Sequence, residues 1–230
     1  MKNLFISFFT LGASLVLNAQ DKLMVNYESR MEVDADAMMK QFSANSTSNV
    51  DVKQFEKAIL ESMTRPTYYH LRIDQNESVF QQEERIQNEQ PKEPGGVLVV
   101  MYGGGTGILY KNLQEQQSLR SQDAFSKSFL VRDELKKYDW KISKESKEIL
   151  GYEVRKAEAI IDSTSSIVAW YAPKLPYKNG PAEYQGLPGL ILELEVSRLM
   201  DDSPEKTIFL AESISVDKNQ EPIKKPTKGQ

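Results

Sequence analysis

His70 is the single histidine in this chain of 230 residues. Serine is abundant, so a Ser-His-Asp hydrolase site is the first chemistry to consider. However, His70 lies on the polar side of an alternating segment, opposite Tyr69 and Leu71, and no Gly-x-Ser-x-Gly motif accompanies it. The pattern therefore favours a histidine on the polar face of a strand over a catalytic base.

Carboxylates offer two other kinds of chemistry, metal binding and acid-base hydrolysis. One histidine and no cysteine exclude the usual zinc ligand sets, and the clusters Glu83-Glu84 and Asp201-Asp202 lack the spacing and the glycine of a calcium loop. Glu193 and Glu195 point the same way from one predicted strand, and an outward, solvated face is the favoured interpretation. We predict no catalytic residue, no metal and no cofactor. A hydrolase that uses carboxylates or serines remains an alternative, because a sequence does not show which side chains meet.

The glycine-rich run Gly103 to Gly107 superficially resembles a phosphate-binding loop. Such a loop ends in Gly-Lys-Ser/Thr and opens a helix, whereas strand-like Ile108-Leu109-Tyr110 follows here. A β-hairpin turn is the favoured interpretation.

The segment Pro173 to Gly189 is the strongest functional candidate. It is an irregular stretch rich in proline and glycine, and such long loops in compact domains are usually functional or disordered. Two aromatic residues inside it and two directly before it argue against disorder. These are the candidate ligand- or partner-binding residues: Trp170, Tyr171, Tyr177 and Tyr184. A rigid loop whose rings close the core is the favoured alternative.

The end of this loop is a turn that leads into a strand. Leu187-Pro188-Gly189-Leu190 has the Pro-Gly pattern of a type II β-turn, in which the third residue needs φ > 0. Alternation then places Leu190, Leu192, Leu194 and Val196 on one face of a strand. The predicted structural motif is the hexapeptide Gly186, Leu187, Pro188, Gly189, Leu190, Ile191.

This hexapeptide, with Trp170-Tyr171, Pro173 and Gly180-Pro181 before it, resembles the GLPGLI family, which is named after those six residues. The resemblance extends from Ile149 to Val196. Family members often carry a cysteine where this chain has Val154, so thiol chemistry at that position is not carried over. The resemblance implies an exported envelope protein of Gram-negative bacteria, in a family whose function is essentially uncharacterised.

The elements around these residues are mostly short alternating segments. The spacing of Val52, Phe55, Ile59 and Met63 predicts one main helix over 51–63. Strands are predicted at 23–33, 67–73, 78–85, 97–102, 108–113, 117–119, 126–132, 140–143, 153–162, 167–171, 190–196 and 207–216. The expected class is α+β: a predominantly antiparallel, strongly curved, half-barrel-like sheet with the helix packed on it. Periplasmic lipoprotein carriers are the fold-level analogy.

The two termini differ in composition from the rest of the chain. Residues 1–19 read as a cleavable signal peptide, with Lys2, an apolar stretch and Ala19 before the cut. Residues 20–216 would form a single β-rich domain, and 217–230 a flexible tail. The formal net charge of −4 argues against nucleic-acid binding, and no later run is apolar enough to predict an integral membrane protein.

Together these features predict an exported protein of the periplasm, outer membrane or cell exterior. The favoured function is non-enzymatic: binding of a lipid-like hydrophobic ligand or of an outer-membrane protein partner by the curved sheet and the Pro173–Gly189 loop. The alternatives are a periplasmic hydrolase and a structural accessory of an outer-membrane transporter.

Overall fold

The computed structural model describes residues 22–34, 64–83, 107–124, 127–200, 203–216 and 221–227. These contain eleven β-strands. In chain order the strands are β1 Leu23–Val33, β2 Thr67–Asp74, β3 Glu77–Gln82, β4 Ile108–Asn112, β5 Gln117–Ala124, β6 Lys127–Glu134, β7 Lys141–Ile149, β8 Tyr152–Ile160, β9 Ser165–Ala172, β10 Leu190–Met200 and β11 Ser203–Val216.

All eleven strands belong to one sheet, in the order β6-β5-β4-β3-β2-β1-β11-β10-β9-β8-β7. Every neighbouring pair is antiparallel. The sheet is thus two meanders that join where β1 pairs with β11, for example at Leu23 and Val216. The prediction of an antiparallel sheet is confirmed.

The connection between the two outermost strands shows that the sheet is curled. In a flat sheet β6 and β7 would lie ten strand spacings apart, or about 48 Å. Only residues 135–140 connect them, and Glu134 and Lys141 can therefore be at most about 25 Å apart along a fully extended chain. The sheet consequently bends until its two edges approach each other, although it remains open because β6 and β7 do not pair.

The α+β prediction is wrong for the described residues, whose elements are all strands. The predicted helix over 51–63 and the predicted strand over 97–102 lie outside the described residues, as do Gly103 to Thr106 and the predicted signal peptide. The sheet covers its own apolar face by curling and by receiving the Pro173–Gly189 loop, so in this part of the chain no helix performs that task.

The two faces of the sheet differ in character. On one face, here called the core face, side chains from strands far apart in the sheet form a single buried cluster that includes Leu23, Phe80, Leu109, Ala157 and Leu194. Because these strands meet across the curl, the core face is the concave one. The opposite, outer face carries ion pairs such as Lys147–Glu193 and Lys206–Glu195.

A smaller cluster lies on the outer face of β3, β4 and β5. Val79, Tyr110 and Leu119 pack there against Ile223. Lys225 pairs with Glu115 at 2.9 Å and lies over the ring of Tyr110. Residues 221–227, which belong to the stretch predicted as a flexible tail, therefore pack against the sheet.

Candidate functional site

The loop Pro173–Gly189 connects β9 to β10 through a series of tight turns. Its backbone closes three-residue hydrogen bonds from Tyr177 N to Leu175 O, from Asn179 N to Tyr177 O and from Gly189 N to Leu187 O, at 2.7, 2.7 and 2.8 Å. Such bonds define γ-turns, and the proline at the centre of the third has a φ that suits this geometry. The type II β-turn predicted at Leu187–Leu190 is therefore wrong, since Leu190 N instead donates to Leu175 O.

Gly180 and Gly189 of the loop are required because a Cβ atom would not fit there, and not because of their φ angles. A Cβ atom on Gly189 would lie 2.3 Å from the carbonyl oxygen of Ala172, and one on Gly180 would lie 2.8 Å from Cδ1 of Ile191. Positive φ occurs instead at Gly186, where it is 98°. The Pro-Gly of the hexapeptide thus allows the loop to pass directly against the end of β9.

The hexapeptide leads into a β-bulge on β10. The pairing with β9 shifts between Ile191 and Glu193, so Leu190, Ile191 and Leu192 are all buried. The carbonyl of Ile191 accepts a 2.6 Å hydrogen bond from the hydroxyl of Tyr27 on β1, and its N–H donates to Asn179 O. The bulge joins the loop, β10 and the centre of the sheet.

Lys111 on β4 holds the middle of the loop on the core face. Its side chain is fully buried. Its Nζ donates to the backbone carbonyls of Gly180, Ala182 and Tyr184 at 3.0, 2.7 and 3.4 Å. Burial lowers the pKa of Lys111 to about 7, while the carboxylate of Glu183 acts in the opposite direction. The three carbonyls match the three N–H donors of an ammonium group.

Further contacts tie the loop to the connection between β6 and β7. Burial alone would raise the pKa of Glu183. Nζ of Lys136 and Nη2 of Arg120 lie 3.2 and 3.4 Å from its carboxylate, and their positive charges outweigh burial and lower the pKa. Trp140 donates from Nε1 to Gln185 O at 3.0 Å, and Gln185 donates from Nε2 to Lys136 O at 2.7 Å. The loop is consequently fixed at several points.

The structure separates the four aromatic residues predicted to bind. Tyr171, Tyr177 and Tyr184 are 2–4% exposed and belong to the core cluster. Trp170 is half-buried and points to the outer face, where Nζ of Lys147 lies 4.3 Å from its ring centroid. The interpretation that the loop's rings close the core accounts for the three tyrosines, and a binding role for the four residues stays a prediction.

A cleft of about 750 Å³ opens beside the loop at one end of the sheet. The connection after β6 lines it with Lys137, Tyr138 and Trp140, and the loop lines it with Tyr177 and Lys178 among others. The remaining lining residues come from the β2–β3 turn, the β4–β5 turn and both arms of the loop: Gln75, Asn76, Leu113, Gln116, Pro176, Gln185 and Gly186. Amides, amines and rings therefore converge on one space.

The aromatic wall of the cleft continues into the core. The ring centroid of Tyr138 lies 5.5 Å from that of Trp140 and 5.4 Å from that of Tyr184. The hydroxyl of Tyr138 is buried without a hydrogen-bond partner among the described residues, and burial raises its pKa. The wall is thus a packed aromatic row with Trp140, itself half-buried, at its outer end.

The residues considered for hydrolysis do not converge. Nδ1 of His70 lies 2.7 Å from Oδ1 of Asn26, whose amide donates to Oγ of Ser213 at 2.8 Å. The asparagine thus lies between histidine and serine, whereas a catalytic triad needs the histidine in the middle. Glu193 and Glu195 share the outer face as predicted, and each forms an ion pair with a lysine. Within the described ranges no three potential metal ligands cluster.

Sequence reasoning missed Lys111, Tyr138 and Trp140 as parts of the site. Lys111 follows the apolar run Ile108-Leu109-Tyr110 in the same strand, but a lysine is normally exposed, so the sequence contains no signal of its burial. Tyr138 and Trp140 lie in the short connection that must cross between the sheet edges. Only the topology brings that connection to the loop.

The comparisons with known proteins give one family match. A family model described as "Protein of unknown function (Porph_ging)" matches residues 158–193. This stretch lies within the part of the chain that resembles the GLPGLI family and includes the end of β8, β9, the loop and the start of β10. No curated protein sequence matches the chain. No helix among the described residues is long and apolar enough to cross a membrane.

Structures of PNGF-II share the fold of this chain at low sequence identity. Two crystal structures of PNGF-II, in space groups C2 and P21, match with TM-scores of 0.53 and 0.51 and 15% identity. Each match covers 87% of this chain but only 28% or 29% of the PNGF-II chain. An uncharacterised conserved protein from Thermus thermophilus follows with a TM-score of 0.40 and 3% identity, over 86% of this chain and 80% of that one. The chain thus resembles less than a third of PNGF-II in fold.

Proposed function

We propose that this chain is an exported, non-catalytic binding protein of the bacterial envelope, and that it binds in the cleft between the Pro173–Gly189 loop and the β6–β7 connection. The observation that carries the proposal is the anchoring of the loop. Lys111 binds three carbonyls of the loop backbone, and Gln185 and Glu183 tie the loop to Lys136 of the β6–β7 connection. A cleft whose lining segments are fixed to each other is preorganised, which lowers the entropic cost of binding.

The choice of the cleft over the concave sheet follows from what fills the core face. Tyr177, Tyr184 and Leu187 of the loop are buried there among the side chains of the sheet. A polar ligand is favoured over the lipid-like ligand predicted from the sequence, because amides and amines line much of the cleft. Export is supported by the composition of residues 1–19.

Photo-cross-linking in the cell tests this proposal without assuming a ligand class. The full chain would carry p-benzoylphenylalanine in place of Leu113, an apolar residue that lines the cleft. The control places it at Lys174, an exposed residue of the Pro173–Gly189 loop outside the cleft. We expect a defined adduct from position 113 and none from 174. Equal adducts from both positions, or none from 113, would contradict the proposal.

A protein partner from the outer membrane is a second candidate, and the edge strand β6 favours it. β6 is last in the sheet order, so one side of it has no strand neighbour among the described residues. Phe129 and Val131 are 38% and 53% exposed there. An edge of this kind can accept an added strand from another protein. The cross-linker placed at Val131 tests this candidate, which predicts a protein adduct from β6 and none from position 113.

A further inference from the structure

We infer that the ligand of the cleft is a saccharide that carries negative charge, an inference that rests on the cleft being the binding site proposed above. Three features of the lining support it: rings, side-chain amides, and two lysines with no aspartate or glutamate among the described lining residues. Each feature matches one part of an acidic sugar, and their combination separates this ligand class from lipids, peptides and simple anions.

The aromatic feature of the lining is the ring of Trp140. Trp140 is half-buried at the mouth of the aromatic row, so part of its ring faces the cleft. Its orientation is fixed because Nε1 donates to Gln185 O and because Tyr138 packs beside it. The negative face of an aromatic ring attracts the weakly positive C–H groups on the face of a sugar ring. A fixed, half-exposed indole therefore provides a platform for one sugar unit.

Side-chain amides supply the polar complement. Gln75 and Asn76 are exposed on the β2–β3 turn, and Gln116 is exposed on the β4–β5 turn. An amide carries both donors and an acceptor, so it can bind the paired hydroxyls of a sugar, each of which also donates and accepts. Nδ2 of Asn76 donates to Oε1 of Gln114, and Nε2 of Gln116 donates to Leu113 O. A lipid chain would leave the remaining donors and acceptors of these amides without partners, which is costly once water is excluded.

The charges indicate an anion. Lys137 of the β6–β7 connection and Lys178 of the loop line the cleft, while no aspartate or glutamate is among the described residues that line it. Glu115, Asp133 and Glu134 line an adjoining depression that Lys137 also borders, and the neighbouring Lys136 is paired with Glu183 at 3.2 Å. Two lysines from separate segments suit a carboxylate or a similar anionic group on the sugar.

The position of the cleft argues against a peptide. All its described lining residues belong to turns, the loop or the β6–β7 connection, and none lies in a strand. An extended peptide bound by strand addition needs the free N–H and C=O groups of a strand edge. The cleft offers side chains and rings instead, which is the surface that a saccharide requires.

The test measures binding of defined oligosaccharides to the full chain. The probes are hexamers of galacturonate, mannuronate, guluronate and N-acetylneuraminate, with neutral maltohexaose and poly-L-glutamate as comparisons. Binding is followed by calorimetry and by fluorescence of a Trp170→Phe variant, in which Trp140 is the single tryptophan. We expect at least one acidic hexamer to bind at least tenfold more tightly than maltohexaose and poly-L-glutamate, and to change Trp140 emission.

Matched variants connect binding to the cleft. The double variant Lys137→Gln/Lys178→Gln should weaken binding at least tenfold and reduce its salt dependence, whereas Lys174→Gln should not. Trp140→Ala should abolish binding, while Trp170→Ala on the outer face should leave it unchanged. Trp140→Phe keeps a ring if the alanine variant does not fold, and should retain part of the affinity.

The contrary outcomes are distinct. Equal binding of poly-L-glutamate, or binding that survives the double lysine variant, would overturn the saccharide inference in favour of charge alone. Equal binding of maltohexaose would overturn its anionic part. If no hexamer binds while the cross-linker at position 113 captures another molecule, the ligand class is wrong and the proposed function stands. If the cross-linker also captures nothing, both fail.

Discussion

Nζ of Lys111 lies 2.7 Å from the carbonyl oxygen of Ala182, although the two residues are 71 positions apart in the chain. The lysine belongs to β4 and the alanine to the loop between β9 and β10. Those strands are far apart in the sheet order, so this hydrogen bond crosses the concave face. Together with the bonds to Gly180 and Tyr184, it makes one buried amine the link between the two meanders and the cleft.

Lys111→Met tests that link. The variant keeps a long side chain but leaves the carbonyls of Gly180, Ala182 and Tyr184 without their donor. Unsatisfied buried carbonyls are costly, so we expect the free energy of unfolding to fall by about 2–4 kcal/mol. Urea denaturation provides the measurement, and Lys174→Met, which changes an exposed lysine of the same loop, is the control. A Lys111→Met protein as stable as the wild type would show that these three hydrogen bonds do not stabilise the fold.

The lowered pKa of Lys111 predicts a specific pH dependence. In the unfolded chain the lysine keeps its proton up to its ordinary pKa of 10.5, whereas in the folded protein burial lowers that pKa to about 7. Between these values the unfolded state binds more protons, so the free energy of unfolding rises with pH, by at most about 1.4 kcal/mol per pH unit. Below pH 7 the amine is protonated in both states, and this contribution stays constant at its least favourable value.

Urea denaturation of the wild type and of Lys111→Met from pH 6 to 9.5 isolates this effect. The difference in unfolding free energy between the two proteins should move in favour of the wild type as pH rises above 7. The range ends below pH 10 because burial raises the pKa of Tyr27 and Tyr184, whose titration in the unfolded state acts in the opposite direction. A difference that does not vary with pH would mean that the three carbonyls keep the ammonium charged in the folded protein.

Strands that bury one face could be predicted from the sequence, whereas β7, which has no buried residue, was predicted only over 140–143. Alternation over Leu23 to Val33 and over Leu190 to Val196 predicted β1 and the start of β10. The burial of Ile191 could not be predicted, because a bulge interrupts the alternation there. A bulge depends on how β9 and β10 pair, and a single strand's pattern does not contain that information.

The site was harder to predict than the sheet. The aromatic loop was correctly identified as ordered, but its turn type was wrong, because the contact that constrains Gly189 comes from Ala172 on β9. A lysine at the end of an apolar strand normally indicates exposure. Lys111 is buried because loop residues some 70 positions later supply its partners. Long-range contacts of this kind follow from topology and not from local propensity.

Gly189→Ala distinguishes the observed close approach from the turn predicted by the Pro-Gly pattern. The new Cβ atom would lie 2.3 Å from the carbonyl oxygen of Ala172. This is a backbone atom, so it cannot move aside as the end of a flexible side chain could. We expect a loss of about 2–4 kcal/mol in unfolding free energy. Gly151→Ala is the matched control, because Gly151 has φ of 78° but nothing within 4 Å of the new atom, so only backbone strain of about 1 kcal/mol applies. Similar losses in the two variants would contradict the packing argument.

Removing the buried hydroxyl of Tyr27 and removing that of Tyr138 should change the free energy of unfolding in different directions. The hydroxyl of Tyr27 donates to Ile191 O at 2.6 Å, so Tyr27→Phe leaves a carbonyl at the β10 bulge unsatisfied and should cost about 1–2 kcal/mol. The hydroxyl of Tyr138 is buried without a partner among the described residues. Tyr138→Phe therefore removes an unsatisfied polar group, and we expect unchanged or higher stability, by up to about 1 kcal/mol. Each variant deletes one oxygen and keeps the ring, so each serves as the control for the other in thermal and urea denaturation. If Tyr138→Phe lost as much stability as Tyr27→Phe, the hydroxyl of Tyr138 would have to be hydrogen-bonded in the folded protein, and the aromatic wall of the cleft would contain a polar contact.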